Sequence, residues 1–382
     1  MKQLSVMLKP TSSRCDMSCA YCFYADVAAS RKEAFKGMMS RETVSALIRN
    51  IFVCLEKGDS ITFAFQGGEP RLAGLDFFTF FTEEVAKIAV SGVKTEYAIQ
   101  TNGLGISDEW CKFFLQNNFL VGLSIDGGEA LHDTHRKDLH GNGTHSRVMA
   151  TKQSFDKFAV PYNVLCVLTY KASVQAVKIW DFVIKEKIKF VQFIPCLEPL
   201  ESTNPAAERT GYVPLAYNQN ISLTADGFYR FYSVIFPLWK REALRDNFVQ
   251  VRLFEDLALM FLSGHGMTCG VAGRCQPQIV VEADGSVYPC DFYVLDEYKS
   301  GELTRQTLRE VFEATVSGTF MHPRELPPEC QCCTYVQWCH GGCKRMNKAV
   351  YGKRCGMKAF LEKYLDELLA VYRRLIDRSR KN

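Results

Sequence analysis

No apolar run in the 382 residues approaches the roughly 18 that a membrane-spanning helix needs, and the opening stretch MKQLSVMLKPTSSRC has too short an apolar segment for a secretory signal. The chain is therefore expected in the cytoplasm, with no membrane partner. Apart from the closing RRLIDRSRKN there is no long Lys/Arg run, and the formal net charge is only +4. That balance gives nucleic-acid binding little support. Neither a repeat at solenoid period nor a low-complexity tract is present. What remains is 47% hydrophobic and 23% charged residues, enough for one large domain and a smaller one.

Cysteine, by contrast, is abundant, with 16 in all. Cys15, Cys19 and Cys22 lie near the start, and most of the others fall between Cys269 and Cys355. In a reducing compartment, clustered thiols point to metal ligands rather than to a disulfide framework. Cys54, Cys111, Cys166 and Cys196 sit on predicted helices or strands without partner spacing and read as small buried hydrophobes. His132 and His135 in HDTH read as part of a surface loop, since HxxH without a carboxylate partner is a weak metal signal.

From residue 4 to about 240 a short apolar strand, a loop and an amphipathic helix alternate. Strands are predicted at LSVMLK, ITFAFQ, TEYAIQ, LVGLSI, NVLCVLT and FVQFIP, and the clearest helix sets Val44, Leu47, Ile48, Ile51, Phe52 and Leu55 on one face behind Ser40. Such units imply parallel strands with right-handed crossovers: an α/β fold, expected to be a partial (β/α)6 barrel rather than an open doubly wound sheet. Function then belongs at the strands' C-terminal ends, where QGGEP, QTNG, SIDG and CLEP stand. Thr62, Ala64 and Gln66 share one strand face, and Gly122, Ser124 and Asp126 another, so small and polar groups are expected inside and bulky ones against the helices. The boundary is expected at residues 245/246, giving a barrel over 1–245 and a cysteine-rich unit over 246–382 that closes with a helix from Met357.

CDMSCAYC sets three thiols at CxxxCxxC just after the first strand. A structural zinc site closes with four ligands, whereas a 4Fe-4S cluster with three protein ligands keeps one iron for a small molecule. With GGEP after the second strand, the spacing resembles the radical S-adenosylmethionine enzymes. The tail resembles the SPASM extension of that superfamily, a domain with two auxiliary 4Fe-4S clusters. By that resemblance Cys15, Cys19 and Cys22 hold the first cluster, Cys269, Cys275, Cys290 and Cys343 a second, and Cys330, Cys333, Cys339 and Cys355 a third. Cys332 in CQCC is a further thiol beside this last set, and Cys333 is preferred because it keeps the family spacing. The tail spacing is also open to a zinc-ribbon reading.

LKPTSSRCDMSCAYCFY, FAFQGGEP, FLVGLSIDG, HRKD, FIPCLEPL and VVEADGSVYPCDFYVLD together resemble the anaerobic sulfatase-maturating enzymes over nearly the whole chain. The resemblance implies a radical oxidoreductase with three 4Fe-4S clusters and S-adenosylmethionine, oxidising a cysteine or serine in a CxPxR-type motif to formylglycine. It implies S-adenosylmethionine contacts at Tyr21, Gly68, Ser124, Arg136 and Leu197, substrate contacts at Tyr24 and Gln66, and Asp291 as catalytic base. Expected partners are an unfolded or nascent sulfatase polypeptide and a small redox protein as electron donor, with the chain itself a monomer. An ordinary carboxyl near 3.9 and a thiol near 8.5 leave ground-state proton transfer roughly 6 kcal/mol uphill, so proton loss coupled to electron loss is expected. Two alternatives stay open: a SPASM maturase that cross-links or epimerises a ribosomally made peptide, and a non-catalytic iron-sulfur or zinc protein.

Overall fold

The computed structural model describes residues 2–200, 221–264, 268–351 and 354–379. All six predicted strands form: β1 Gln3–Leu8, β2 Ser60–Phe65, β3 Lys94–Thr101, β4 Phe119–Ser124, β5 Tyr162–Leu168 and β6 Phe190–Pro195. They pair in chain order and in parallel, with helices between them, as a partial (β/α)6 barrel. The sheet does not stop there. At one edge β7 (Gln250–Val251) pairs parallel with β6, and at the other β8 (Ile279–Val281) pairs parallel with β1 and leads antiparallel into β9 (Ser286–Tyr288) and β10 (Gly301–Glu302). Strands on both sides of residue 245 thus share one ten-stranded sheet.

The alternation in β2 has the expected result. Phe63 and Phe65 bury against the helix Leu75–Ile88, with ring centroids 5.1 Å from Phe81 and 4.9 Å from Phe78 respectively. Thr62, Ala64 and Gln66 take the opposite face. In β4 and its extension, Val121, Leu123 and Ile125 are buried in the core, and a Cβ added to Gly122 would lie 2.1 Å from Gln100 Oε1. The interior is therefore narrow and polar here, unlike a barrel packed with branched side chains.

The helix Arg41–Phe52 begins at Ser40, whose hydroxyl accepts the Thr43 N–H at 3.1 Å. It ends at Phe52, so Leu55 reaches the core from the following turn and not from the helix face. The helix Asp108–Gln116 starts after Ser107. The closing helix Gly356–Ser379 packs as a cap on Ala225–Leu244, with Phe236 4.9 Å from Tyr364 and Trp239 5.7 Å from Tyr372. Residues 380–382 of its basic end lie outside the described residues.

The surface-loop expectation for HDTH also fails. His132 and His135 are buried, on the helix Glu129–His135. His132 Nδ1 accepts the Asp126 N–H at 3.3 Å and its Nε2 meets Thr144 Oγ1 at 3.0 Å, so this ring braces a loop instead of facing solvent. Burial holds it neutral, at about 3. Cys111, Cys166 and Cys196 are buried as expected, whereas Cys54 is half-buried. Among the described residues no helix is long and apolar enough to cross a membrane.

Candidate active site

The chain leaves β1 at Leu8 and reaches the first cysteine triad within a few residues. Three backbone bonds tie this loop to the end of β2: Gln66 N–H to Leu8 O at 2.9 Å, and Gly68 N–H to Ser12 O and Glu69 N–H to Arg14 O at 2.8 Å each. Gly68 is where they pass closest, because a Cβ there would lie 2.0 Å from the Arg14 carbonyl oxygen. The glycine-rich GGEP stretch thus supports the cysteine loop before it meets any ligand.

Cys15, Cys19 and Cys22 are near enough to influence one another's charge. Burial raises all three thiols, Cys19 up to about 12 against the pull of the Arg136 guanidinium, and neighbouring thiols add to the rise at Cys15 and Cys19. Met17 N–H and Ala25 N–H point at the sulfurs of Cys15 and Cys22, both at 3.4 Å. Three half-buried thiols on one loop, two of them facing backbone N–H donors, suit a cationic iron core.

A short antiparallel ribbon, Met17–Cys19 against Arg136–Asp138, pairs Cys19 directly with Arg136. Arg136 Nη1 lies 4.0 Å from the Cys19 sulfur, and its Nε donates to Asp126 Oδ2 at 3.0 Å. The Tyr21 hydroxyl donates to the same carboxylate, which also accepts the Val167 N–H at 2.9 Å. Ser124 Oγ accepts from Gln100 Nε2 at 2.9 Å. Leu197 is buried just beyond β6, its carbonyl accepting the Ser222 hydroxyl at 3.4 Å. Of the residues expected at the S-adenosylmethionine site, Tyr21 and Arg136 thus share Asp126 beside Cys19 and Gly68 is bonded to the triad's loop, while Ser124 and Leu197 stand at the ends of β4 and β6.

Glu69 of GGEP is buried in the same place. Its carboxylate accepts Asn102 N–H at 2.7 Å, Thr101 Oγ1–H at 2.9 Å and Arg71 N–H at 3.1 Å. Burial nevertheless lifts it to about 7. A cationic ammonium arriving at this carboxyl would find a group ready to give up its proton.

Asp291 occupies the short turn Asp291–Tyr293, one residue after Cys290. Gln66 Nε2 donates to its Oδ2 at 2.8 Å, and Lys9 Nζ donates to its Oδ1 at 2.5 Å. Lys9 also lies 3.8 Å above the centroid of the Tyr24 ring. Tyr24 is buried, and its hydroxyl donates to Glu282, which also takes Arg31. Gln66, expected at the substrate, thus touches the expected base, while Tyr24 is bonded away from it through Glu282.

The tail thiols fall into two groups. Burial raises Cys269, Cys290 and Cys343, and neighbouring thiols add to it: Cys343 and Cys275 at Cys269, Cys343 and Cys269 at Cys290, and Cys275 at Cys343. Cys339 and Cys355 respond to Cys330 and Cys333. These last four line one cavity of about 420 Å³. Exposed Cys332 is not among its lining residues. No three His, Cys, Asp or Glu side chains among the described residues close to the spacing of a single ion. Four thiols standing apart on the walls of such a cavity fit a many-atom cluster better than a zinc ion.

Lys9, Glu282 and Arg31 did not emerge from the sequence, and Asp126 emerged only as an interior-facing residue. Lys9 had a signal, since a lysine directly after an apolar strand that ends at a polar mouth is out of place in a core.

A radical SAM superfamily model matches residues 10–169, and the model of an iron-sulfur cluster-binding domain, SPASM, matches residues 269–334. The chain is 36% identical to a cysteine-type anaerobic sulfatase-maturating enzyme of Clostridium novyi, over 98% of this chain and 99% of that one. A serine-type anaerobic sulfatase-maturating enzyme of Klebsiella aerogenes is 31% identical over 92% of this chain and 82% of its own length. The solved structure of anSMEcpe with bound AdoMet and the Cp18Cys peptide superposes with a TM-score of 0.85 at 34% identity, covering 98% of this chain and 99% of that one. The chain belongs to the anaerobic sulfatase-maturating enzymes, as a radical S-adenosylmethionine oxidoreductase with 4Fe-4S clusters.

Proposed function

We propose that this enzyme oxidises a cysteine in a CxPxR-type motif of a sulfatase polypeptide to Cα-formylglycine. The observation that carries the reading is Asp291, a carboxylate beside Cys290, held at the C-terminal ends of β1 and β2 by Lys9 and Gln66. The cysteine-type relative covers the chain more fully, and at higher identity, than the serine-type one.

When bound at the first cluster, S-adenosylmethionine would supply the means of hydrogen-atom abstraction at the target β-carbon, and an auxiliary cluster would supply an acceptor for one electron. Cys15, Cys19 and Cys22 would hold that first cluster, and the two tail groups of four thiols the other two, three in all. Tyr21, Gly68, Ser124, Arg136 and Leu197 would line the S-adenosylmethionine site, while Gln66 and Tyr24 border the peptide. Asp291 takes the thiol proton as the adjacent carbon loses its electron, when the thiol is far more acidic than at rest. The carbon–sulfur double bond so formed adds water and releases hydrogen sulfide. The net change is loss of one sulfur and two hydrogens and gain of one oxygen.

On this reading the barrel spans 1–245 and the auxiliary unit 246–382. The enzyme works as a monomer in the cytoplasm, with a small redox protein as donor and an unfolded sulfatase chain as substrate. Mass spectrometry of a CxPxR peptide incubated with reduced enzyme and S-adenosylmethionine tests it. Asp291→Asn should keep its iron and its 5′-deoxyadenosine formation while yielding no aldehyde. Full aldehyde yield from that variant would sink the assignment, and a cross-linked or epimerised product would replace the reaction.

A further inference from the structure

We propose that Lys9 is a positioning residue for the proton acceptor, an inference that rests on the reading of Asp291 as the base. Lys9 follows β1 directly, and its side chain is wholly removed from solvent. A buried ammonium is costly unless it is paired, and an apolar side chain would fill the same space without that cost. Packing alone therefore gives no reason for a lysine here. Its Nζ holds Asp291 Oδ1 at 2.5 Å, while Gln66 Nε2 holds Oδ2 at 2.8 Å.

One donor on each oxygen fixes both the rotamer and the plane of the carboxylate. An ionised carboxylate offers about four lone-pair sites, so about two stay open for an incoming thiol proton. Lys9 is itself fixed from two sides. Its backbone N–H donates to Val281 O at 2.8 Å, and its ammonium rests on the Tyr24 ring. Glu282, paired with Arg31, holds that ring through the Tyr24 hydroxyl. Without Lys9 one oxygen of Asp291 loses its anchor and the carboxylate is free to swing. Displacement by about 1 Å is enough to cost on the order of 100-fold in a positioned step.

The readout is aldehyde formed per 5′-deoxyadenosine released, measured on the full-length enzyme with all its clusters, beside its iron and sulfide content. Lys9→Met should leave iron content and 5′-deoxyadenosine release near the wild-type level and lower the ratio at least tenfold. Combining it with Asp291→Asn should lower the ratio no further than Asp291→Asn alone. A ratio within twofold of wild type overturns the proposal. So does a parallel fall in iron, 5′-deoxyadenosine and aldehyde that leaves the ratio unchanged, because a merely structural lysine behaves that way. If Lys9→Met does not accumulate as folded protein, Lys9→Leu, which likewise lacks a donor, is judged by the same two limits. An Asp291→Asn variant that keeps the wild-type ratio defeats the base reading itself, whatever Lys9 does.

Discussion

Gly68→Ala adds one methyl group where there is no room. The new Cβ would lie 2.0 Å from the Arg14 carbonyl oxygen and 2.6 Å from its carbon, roughly 1.5 Å inside an ordinary ~3.5 Å contact. Both are backbone atoms, so no side-chain rotation relieves the clash. The two bonds through this point, Gly68 N–H to Ser12 O and Glu69 N–H to Arg14 O, must stretch as the segments part. Overpacking costs about 1–3 kcal/mol and each bond about 1 kcal/mol, or about 3–5 kcal/mol together. Arg14 immediately precedes Cys15, so the displacement runs straight into the first triad. Iron and sulfide analysis of the reconstituted variant should show loss at that triad with the tail sites retained, and chromatography should show 5′-deoxyadenosine formation reduced by about tenfold or more. Gly128→Ala is the control, with nothing within 4 Å of its added Cβ; as the N-cap of Glu129–His135 it should cost only about 0.5–1 kcal/mol, with no effect on the triad. Wild-type iron and wild-type 5′-deoxyadenosine in Gly68→Ala would refute the reasoning.

Burial lifts Glu69 from 4.5 to about 7, so the folded protein keeps a proton that the unfolded chain has lost across that window. Its contribution to stability therefore falls as pH rises from 4.5 to 7, by up to about 3 kcal/mol, and Glu69→Gln should remove that slope. Denaturant unfolding of protein without S-adenosylmethionine would contradict this if wild type and variant ran parallel across those pH values. Cys333→Ala should lose tail iron while Cys332→Ala retains it; the opposite result exchanges their roles. Replacing Cys15, Cys19 and Cys22 together with alanine should abolish 5′-deoxyadenosine, and its persistence would reject the first-cluster assignment. Arg31→Met leaves Glu282 buried without its cation, at a cost of about 3–5 kcal/mol, visible as a lower thermal midpoint; an unchanged midpoint would remove Arg31 from the network.

The six barrel strands and the Arg41–Phe52 helix were legible because each carries its own periodicity within a few residues. Local spacing likewise marked the cysteine groups. The partners of Asp291 were not legible: Lys9 stands 282 residues away along the chain, and nothing local in either segment announces the pair. HDTH misled for a related reason. Two histidines in a polar stretch read as surface, yet Asp126 and Thr144 supply the bonds that let His132 be buried. The join between β1 and β8 was hidden in the same way, because a three-residue strand in a cysteine-rich tail has too little pattern to show what it pairs with.

That join limits how the enzyme can be recombined. β8 runs beside β1 in a register that sets Val6 against Ile279 and Leu8 against Val281, one step before Lys9 on one strand and Glu282 on the other. A one-residue slip would turn alternate side chains to the wrong face and part Lys9 from Asp291. Chimeras that graft a foreign cysteine-rich tail onto this barrel should therefore keep uncoupled radical formation but little product, unless β1 and residues 277–291 descend from the same parent.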